Sequence, residues 1–179
     1  MAAPLTVPIA RKNPLTEDKS QPAGRQTVAA ILTRCKTPLI QNWLVRAKNT
    51  PQLKHLHLSD QERTGHLPRL VDDLVVRLDR PKSSDKDSDA IASPAAIEHG
   101  LLRRTQGYSS GMLIHESRIL QVTIFGTLHE NLSLLDFNLL LPDVMIIADE
   151  VDSQLTQTMD SFTNGAAKPA KAQLVKPKG

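Results

Sequence analysis

Apolar side chains recur at spacings of three and four through most of this chain, and no strand signal stands out against them. The clearest run is Leu67, Leu70, Val71, Leu74, Val75 and Leu78, a pattern that winds onto one face of an α-helix. Aromatic residues are only 3% of a chain that is 40% apolar. The core must therefore be built from Leu, Ile and Val, which suits helices that interlock aliphatic ridges. The fold class that follows is all-α, an antiparallel bundle of five to six helices.

The first helical pattern runs from Gly24 to Lys48 and carries Val28, Ile31, Leu32, Cys35, Leu39, Trp43 and Leu44. Pro38 lies inside it and predicts a kink or a break, with Thr37 capping a second segment. Trp43, the single tryptophan, is expected as a core anchor with its indole N–H bonded, or else as a platform for a ligand. Asn49–Leu58 is a connector, and His55 and His57 are read as loop residues. Ser59-Asp60-Gln61-Glu62 is a capping box that opens the next helix, which Asp79-Arg80-Pro81 ends. Lys82–Asp89 follows as a solvated loop. Ser93-Pro94 caps another helix with proline at its first position, and Gly107 ends or bends it. A helix from about Ser109 to Glu130 then buries Leu113, Leu120, Ile124 and Leu128. Leu135-Asp136 is a start signal for the last helix, although Pro142 predicts that it settles only later. Its apolar stripe of Val144, Ile147, Val151, Leu155, Met159 and Phe162 stops at Asn164-Gly165. Asp143, Asp149, Glu150, Asp152 and Asp160 are expected on its outer face. Residues 1–23 and 164–179 read as disordered tails, which leaves 24–163 as one helical domain.

The basic pI of about 9.1 suggests nucleic acid until the charge is located. Residues 1–23 carry a net +1 and residues 164–179 a net +4, so the middle is −2. A basic recognition face would concentrate charge on the folded part, and no nucleic-acid partner is expected. No apolar run approaches a membrane span, and Met1–Pro14 lacks the apolar core of a signal peptide. A cytoplasmic protein without a membrane partner is expected. The lone cysteine, Cys35, excludes an internal disulfide and a cysteine-based zinc site.

The densest cluster of polar functional groups is Glu98-His99-Gly100-Leu101-Leu102-Arg103-Arg104-Thr105-Gln106-Gly107-Tyr108, continued through Glu116 and Arg118. On a helix over 94–106, His99, Arg103 and Gln106 fall at i, i+4 and i+7 on one face. With Trp43, these residues are the candidate signal-binding or helix-coupling site: His99, Arg103, Gln106, Tyr108, Glu116 and Arg118. Two arrangements are open. In one, they line a polar pocket or interface, with His99 placed to sense pH. In the other, Arg103 pairs with Glu116 across the Gly107 bend, Tyr108 bonds a neighbour, and the motif sets the geometry of two helices.

The spaced residues Glu98-His99-Gly100, Arg103, Gln106-Gly107-Tyr108, Glu116, Arg118 and Leu120 resemble the signature of the RsbRD N-terminal domain. These are the RsbT co-antagonist sensor domains, found also ahead of bacterial histidine kinases. The resemblance covers roughly Val28 to Phe162. It implies an all-helical input module, in some members globin-like without haem, that feeds a phosphorylation-controlled stress pathway. In the family an effector such as a STAS domain or kinase core usually follows. Only a short tail follows here, so the resemblance implies action as a homodimer or by docking on a kinase or STAS-type partner.

Other chemistries fit less of the chain. His115-Glu116-Ser117-Arg118 looks like the core of a phosphoacceptor helix, which makes His115 or His99 the candidate in a phosphotransfer alternative. Haem would need a proximal histidine in an apolar, aromatic-lined pocket, and His99 and His129 are candidates by position alone. No cofactor, metal site or enzymatic activity is expected. His115 and His129 lie too far apart to chelate, and no H-E-x-x-H or nucleophile elbow occurs.

Overall fold

The computed structural model describes residues 25–80 and 92–165. The expectations for residues 1–23, Lys82–Asp89 and the tail beyond Gly165 lie outside them. Among the described residues the chain forms α1 (Val28–Asn49), α2 (Asp60–Thr64), α3 (Leu67–Leu78), α4 (Pro94–Thr105), α5 (Ser110–Glu130) and α6 (Phe137–Asn164). A single 3-10 turn, Leu132–Leu134, joins α5 to α6. The all-α bundle is therefore as expected. The only strand-like pairing among the described residues is an isolated bridge between Gln26 and Leu135, which ties the entry of α1 to the α5–α6 connector.

The caps at Ser59, Ser93 and Asp136 follow their sequence signals, whereas the first helix is capped by Thr27 and not again at Thr37. Thr27, Ser59, Ser93, Ser109 and Asp136 each accept a backbone N–H at a helix start. Ser59 and Glu62 complete a reciprocal capping box, but the helix they open stops at Thr64. Leu67 begins a new helix with Pro68 in its first turn, where the missing N–H costs no intrahelical bond.

Neither internal proline breaks its helix. α1 runs through Pro38 without a break. An interior proline costs roughly 3 kcal/mol, yet burying a large apolar side chain returns about 1.5–3 kcal/mol. Leu39, Trp43 and Leu44, at 1%, 1% and 7% exposure, all depend on the helix continuing. α6 likewise starts before Pro142 rather than after it. The proline sits in the second turn, so the bond it removes ends on a carbonyl of the frayable first turn.

α4 packs most extensively on α6, while α1 lies against α5 and α3. α4 faces inward with Ala95, Ala96, His99, Gly100 and Arg103, and leaves Ile97, Leu101 and Leu102 largely exposed. Its polar stripe, not its large apolar residues, faces the core. Small residues permit this: a Cβ at Gly100 would run into Ser161 Oγ and the Thr158 carbonyl. The Thr158 hydroxyl donates to Ala96 O at 3.1 Å across the same seam.

α6 needs a matching correction. Asp143 and Glu150, expected outside, are 5% and 6% exposed. They fall on the same arc of the helix as Ile147, Val151, Gln154 and Thr158, all of which are buried. Gln154 answers part of this polarity by donating to Glu150 at 2.9 Å and to Leu70 O at 3.1 Å. Burial pushes the Glu150 carboxyl above its ordinary value. No helix of the described residues is long and apolar enough to cross a membrane.

Candidate functional site

Arg103, in the last turn of α4, is fully buried. A guanidinium carries five N–H donors, and each finds an acceptor. Nε donates to Glu116 Oε2 at 3.0 Å, while Nη2 lies 3.0 Å from Glu116 Oε1 in the ion pair and reaches His66 Nδ1 at 3.5 Å. The others reach Arg63 O at 2.7 Å, Glu62 O at 2.9 Å and Gln106 Oε1 at 2.7 Å. Glu62 and Arg63 lie in the last turn of α2, whose carbonyls have no intrahelical partner. Arg103 therefore closes the end of α2 and clamps it to α5.

Glu116 is equally occupied. Oε1 also accepts the Tyr108 hydroxyl at 2.7 Å, and Oε2 faces His99 Nε2 at 3.3 Å. Its backbone carbonyl accepts the Trp43 indole N–H at 3.3 Å, so α1 joins the same node. Tyr108 arrives by a Schellman-type turn. Gly107 takes φ +79°, Gly107 N–H donates to Arg104 O, and Tyr108 N–H donates to Arg103 O. The Arg103 guanidinium carbon then lies 4.7 Å from the Tyr108 ring centroid.

The His66 and His99 rings stack at 3.8 Å with 14° between their planes, and the Trp43 ring meets His66 edge-on at 6.2 Å. Burial, then the neighbouring His99, Arg103 and Arg69, hold His66 well below its ordinary range. Burial also lowers His99, against the opposing pull of Glu116. Burial alone would raise the Glu116 carboxyl, but the His99 hydrogen bond, the Arg103 charge and the Tyr108 hydroxyl outweigh it and hold it low. Burial and the facing carboxylate push the Tyr108 phenol up. At neutral pH the node is thus an Arg103–Glu116 ion pair with two neutral imidazoles. A neutral His99 that donates from Nε2 to a carboxylate keeps its lone pair on Nδ1. That atom is the one buried side-chain nitrogen or oxygen without a hydrogen-bond partner among the described residues. A cavity of about 30 Å³ lies beside the rings, lined in part by Trp43, His66, His99, Glu116, Gln154 and Thr158. It has room for water, not for a macrocycle.

His66, His99 and Glu116 offer metal-type donors within 4.8 Å of one another, a cluster that sequence spacing did not reveal. Near-parallel imidazoles direct their lone pairs along parallel planes, so the two rings do not converge on one ion about 2.1 Å from each. The Arg103 charge adds to the penalty.

The structure gathers Trp43, His99, Arg103, Gln106, Tyr108 and Glu116 of the candidate site. It does not include Arg118, which is exposed and lies on another face of α5. Residues i and i+2 of a helix point away from each other, so Glu116 and Arg118 were never on one side. His115 and Arg118 instead line a groove between α1 and α5. Sequence reasoning missed His66 and Arg63. Arg63 is 4% exposed and donates to the carbonyls of Leu53, Leu56 and Leu58, which orders the connector. The available signal was positional: Arg63 and His66 flank Gly65, where the capped helix gives way to the aliphatic run from Leu67. No protein-family model, curated protein or solved structure matches the chain.

Proposed function

We propose that the chain is a non-enzymatic bacterial signalling module of the RsbT co-antagonist type. It acts by protein–protein contact with a kinase or STAS-type regulator in a cytoplasmic stress-response or two-component pathway, as a homodimer. One observation carries the reading. The polar residues of the RsbRD-like signature that are buried, His99, Arg103, Tyr108 and Glu116, meet in one node that also holds Trp43 of α1 and the end of α2. A change at any one member is therefore felt by several helices at once, which is what an input module needs of its switch. Isothermal titration against a STAS-domain stress regulator, with wild type and Glu116→Gln compared, tests it. Binding by wild type, altered in a Glu116→Gln protein that keeps its helical signal, is the expected result. Identical binding by both proteins would separate the node from output, and no binding by either would remove the partner.

The phosphotransfer alternative now rests on His115. His99 is buried with Nε2 engaged, whereas His115 borders an open groove. A phosphoryl mass increment on incubation with a phosphodonor, lost in His115→Ala, would favour that reading over the first.

A further inference from the structure

The groove between the C-terminal half of α1 and the middle of α5 has a volume of about 450 Å³. Its walls are apolar at Val45, Ile119 and Val122 and cationic at Arg46 and Arg118, with His115 alongside, and no carboxylate lines it. Val45 and Val122 are 59% and 44% exposed. The complement of this surface lies elsewhere on the same molecule. The solvent face of α6 exposes Phe137, Leu141 and Met145 at 57%, 69% and 67%, followed by exposed Asp152 and Asp160. At 100° per residue these five side chains share one arc of about 140°. No lysine or arginine occurs from Asn131 to Ala167. One helix face is thus apolar then acidic, and one groove is apolar and basic.

We propose that α6 of one molecule docks by this face into the α1–α5 groove of a second copy. The apolar residues of α6 cover Val45, Ile119 and Val122. Asp152, about 10 Å further along the helix, comes within reach of the Arg46 and Arg118 side chains, and Asp160 extends the acidic field beyond it. The contact joins two different patches, so two molecules either close it twice about a two-fold axis or extend it into chains. It lies apart from the buried node and holds whether or not the node senses a signal.

Sedimentation equilibrium of the full chain over a concentration series, at low and high salt, tests the proposal with two charge-reversed proteins. One carries Arg46→Glu and Arg118→Glu, the other Asp152→Lys and Asp160→Lys. All four positions are exposed, and far-UV circular dichroism checks that both proteins fold. Wild type should self-associate, more weakly in high salt, and each variant should associate about tenfold less tightly or worse. An equimolar mixture of the two variants should recover association, because opposite charges then face each other at both contacts. A monomeric wild type, association indifferent to either variant, or a mixture that fails to recover would each overturn the pairing. Saturable binding of an acidic amphipathic peptide by a monomeric wild type would assign the groove to a different occupant.

Discussion

Removing the Arg103 side chain would leave the Glu116 carboxylate buried with its main counter-charge gone. Breaking one partner of a buried pair costs about 3–5 kcal/mol, and Arg103→Ala should lose that much in urea denaturation. Arg103→Lys should recover little, because an ammonium has three donors for acceptors that the guanidinium fork meets at once. A double-mutant cycle with Glu116→Gln should show coupling of at least about 1 kcal/mol, and additive losses would mean that the pair is not a unit. The two imidazoles make stability depend on pH. His66 and His99 both titrate below the ordinary 6.5 when folded. The unfolded chain therefore takes up their protons first, and stability falls as pH drops below 6.5 toward the folded values, by up to about 1.4 kcal/mol per pH unit per histidine. Glu116, also lowered, adds a loss of the same sign below 4.5. Glu150, raised, works the other way and offsets part of it. A double His66→Gln, His99→Gln variant should flatten the melting temperature between pH 7 and 5, and an unchanged slope would place the acid sensitivity elsewhere. At this scale the sequence was half readable. Arg103, Glu116 and Tyr108 meet because the Gly107 turn joins the last turn of α4 to the first turns of α5 within a few residues, and that arithmetic needs only spacing. His66 comes from the turn between α2 and α3, 37 residues before Arg103, by no local rule, and grouping Arg118 with Glu116 goes against helical geometry.

Between elements, two glycines carry different constraints, and their substitutions should differ in size. At Gly107 an alanine Cβ has open space around it but must hold φ +79°, which costs about 1–2 kcal/mol. Asparagine, which tolerates this conformation, should cost less than alanine. At Gly100 the conformation is ordinary helix, and the Cβ strikes a backbone carbonyl of α6. A carbonyl in a packed helix cannot swing aside as a side chain does, so Gly100→Ala must part α4 from α6. Overpacking costs typically 1–3 kcal/mol and occasionally more, so a loss of roughly 3 kcal/mol or more is expected in the same denaturation assay. Equal costs at the two positions would mean that the α4–α6 seam yields more readily than its geometry implies. Helix count, caps and the Gly107 bend follow from local rules, and those rules hold here. The prolines and the orientation of α4 do not, because both depend on what the rest of the bundle buries. α4 carries three large apolar side chains, Ile97, Leu101 and Leu102, and all are exposed. It faces inward by Ala95, Gly100 and Arg103 instead, since only small residues permit the close approach and only Arg103 finds partners for all its donors.

For the whole molecule, the question is whether the node melts with the bundle or moves within it. Its bonds reach α1 through Trp43, the end of α2 through the Glu62 and Arg63 carbonyls, and α5 through Glu116. α6 is joined separately, through Gln154 to α3 and Thr158 to α4. Protonating His66 and His99 would set new positive charge beside Arg103, with Glu116 the one opposing carboxylate at hydrogen-bond distance. The segment least able to resist is α2, a helix of 5 residues with no buried apolar side chain, held through Arg63 and Arg103. The α4–α6 and α1–α5 seams have no histidine among their hydrogen bonds. The single tryptophan reports on this directly, because Trp43 donates to Glu116 and abuts His66. At pH 8, Trp43 emission and far-UV ellipticity should fall together in urea, as for one cooperative unit. In the absence of denaturant, Trp43 emission should change between pH 6.5 and 5 while ellipticity stays nearly constant. That outcome would identify a second packing of an intact bundle, the bistable element that a signalling role requires. Emission and ellipticity lost together on acidification would mean that the node only holds the fold, and the input site would have to be sought on the surface.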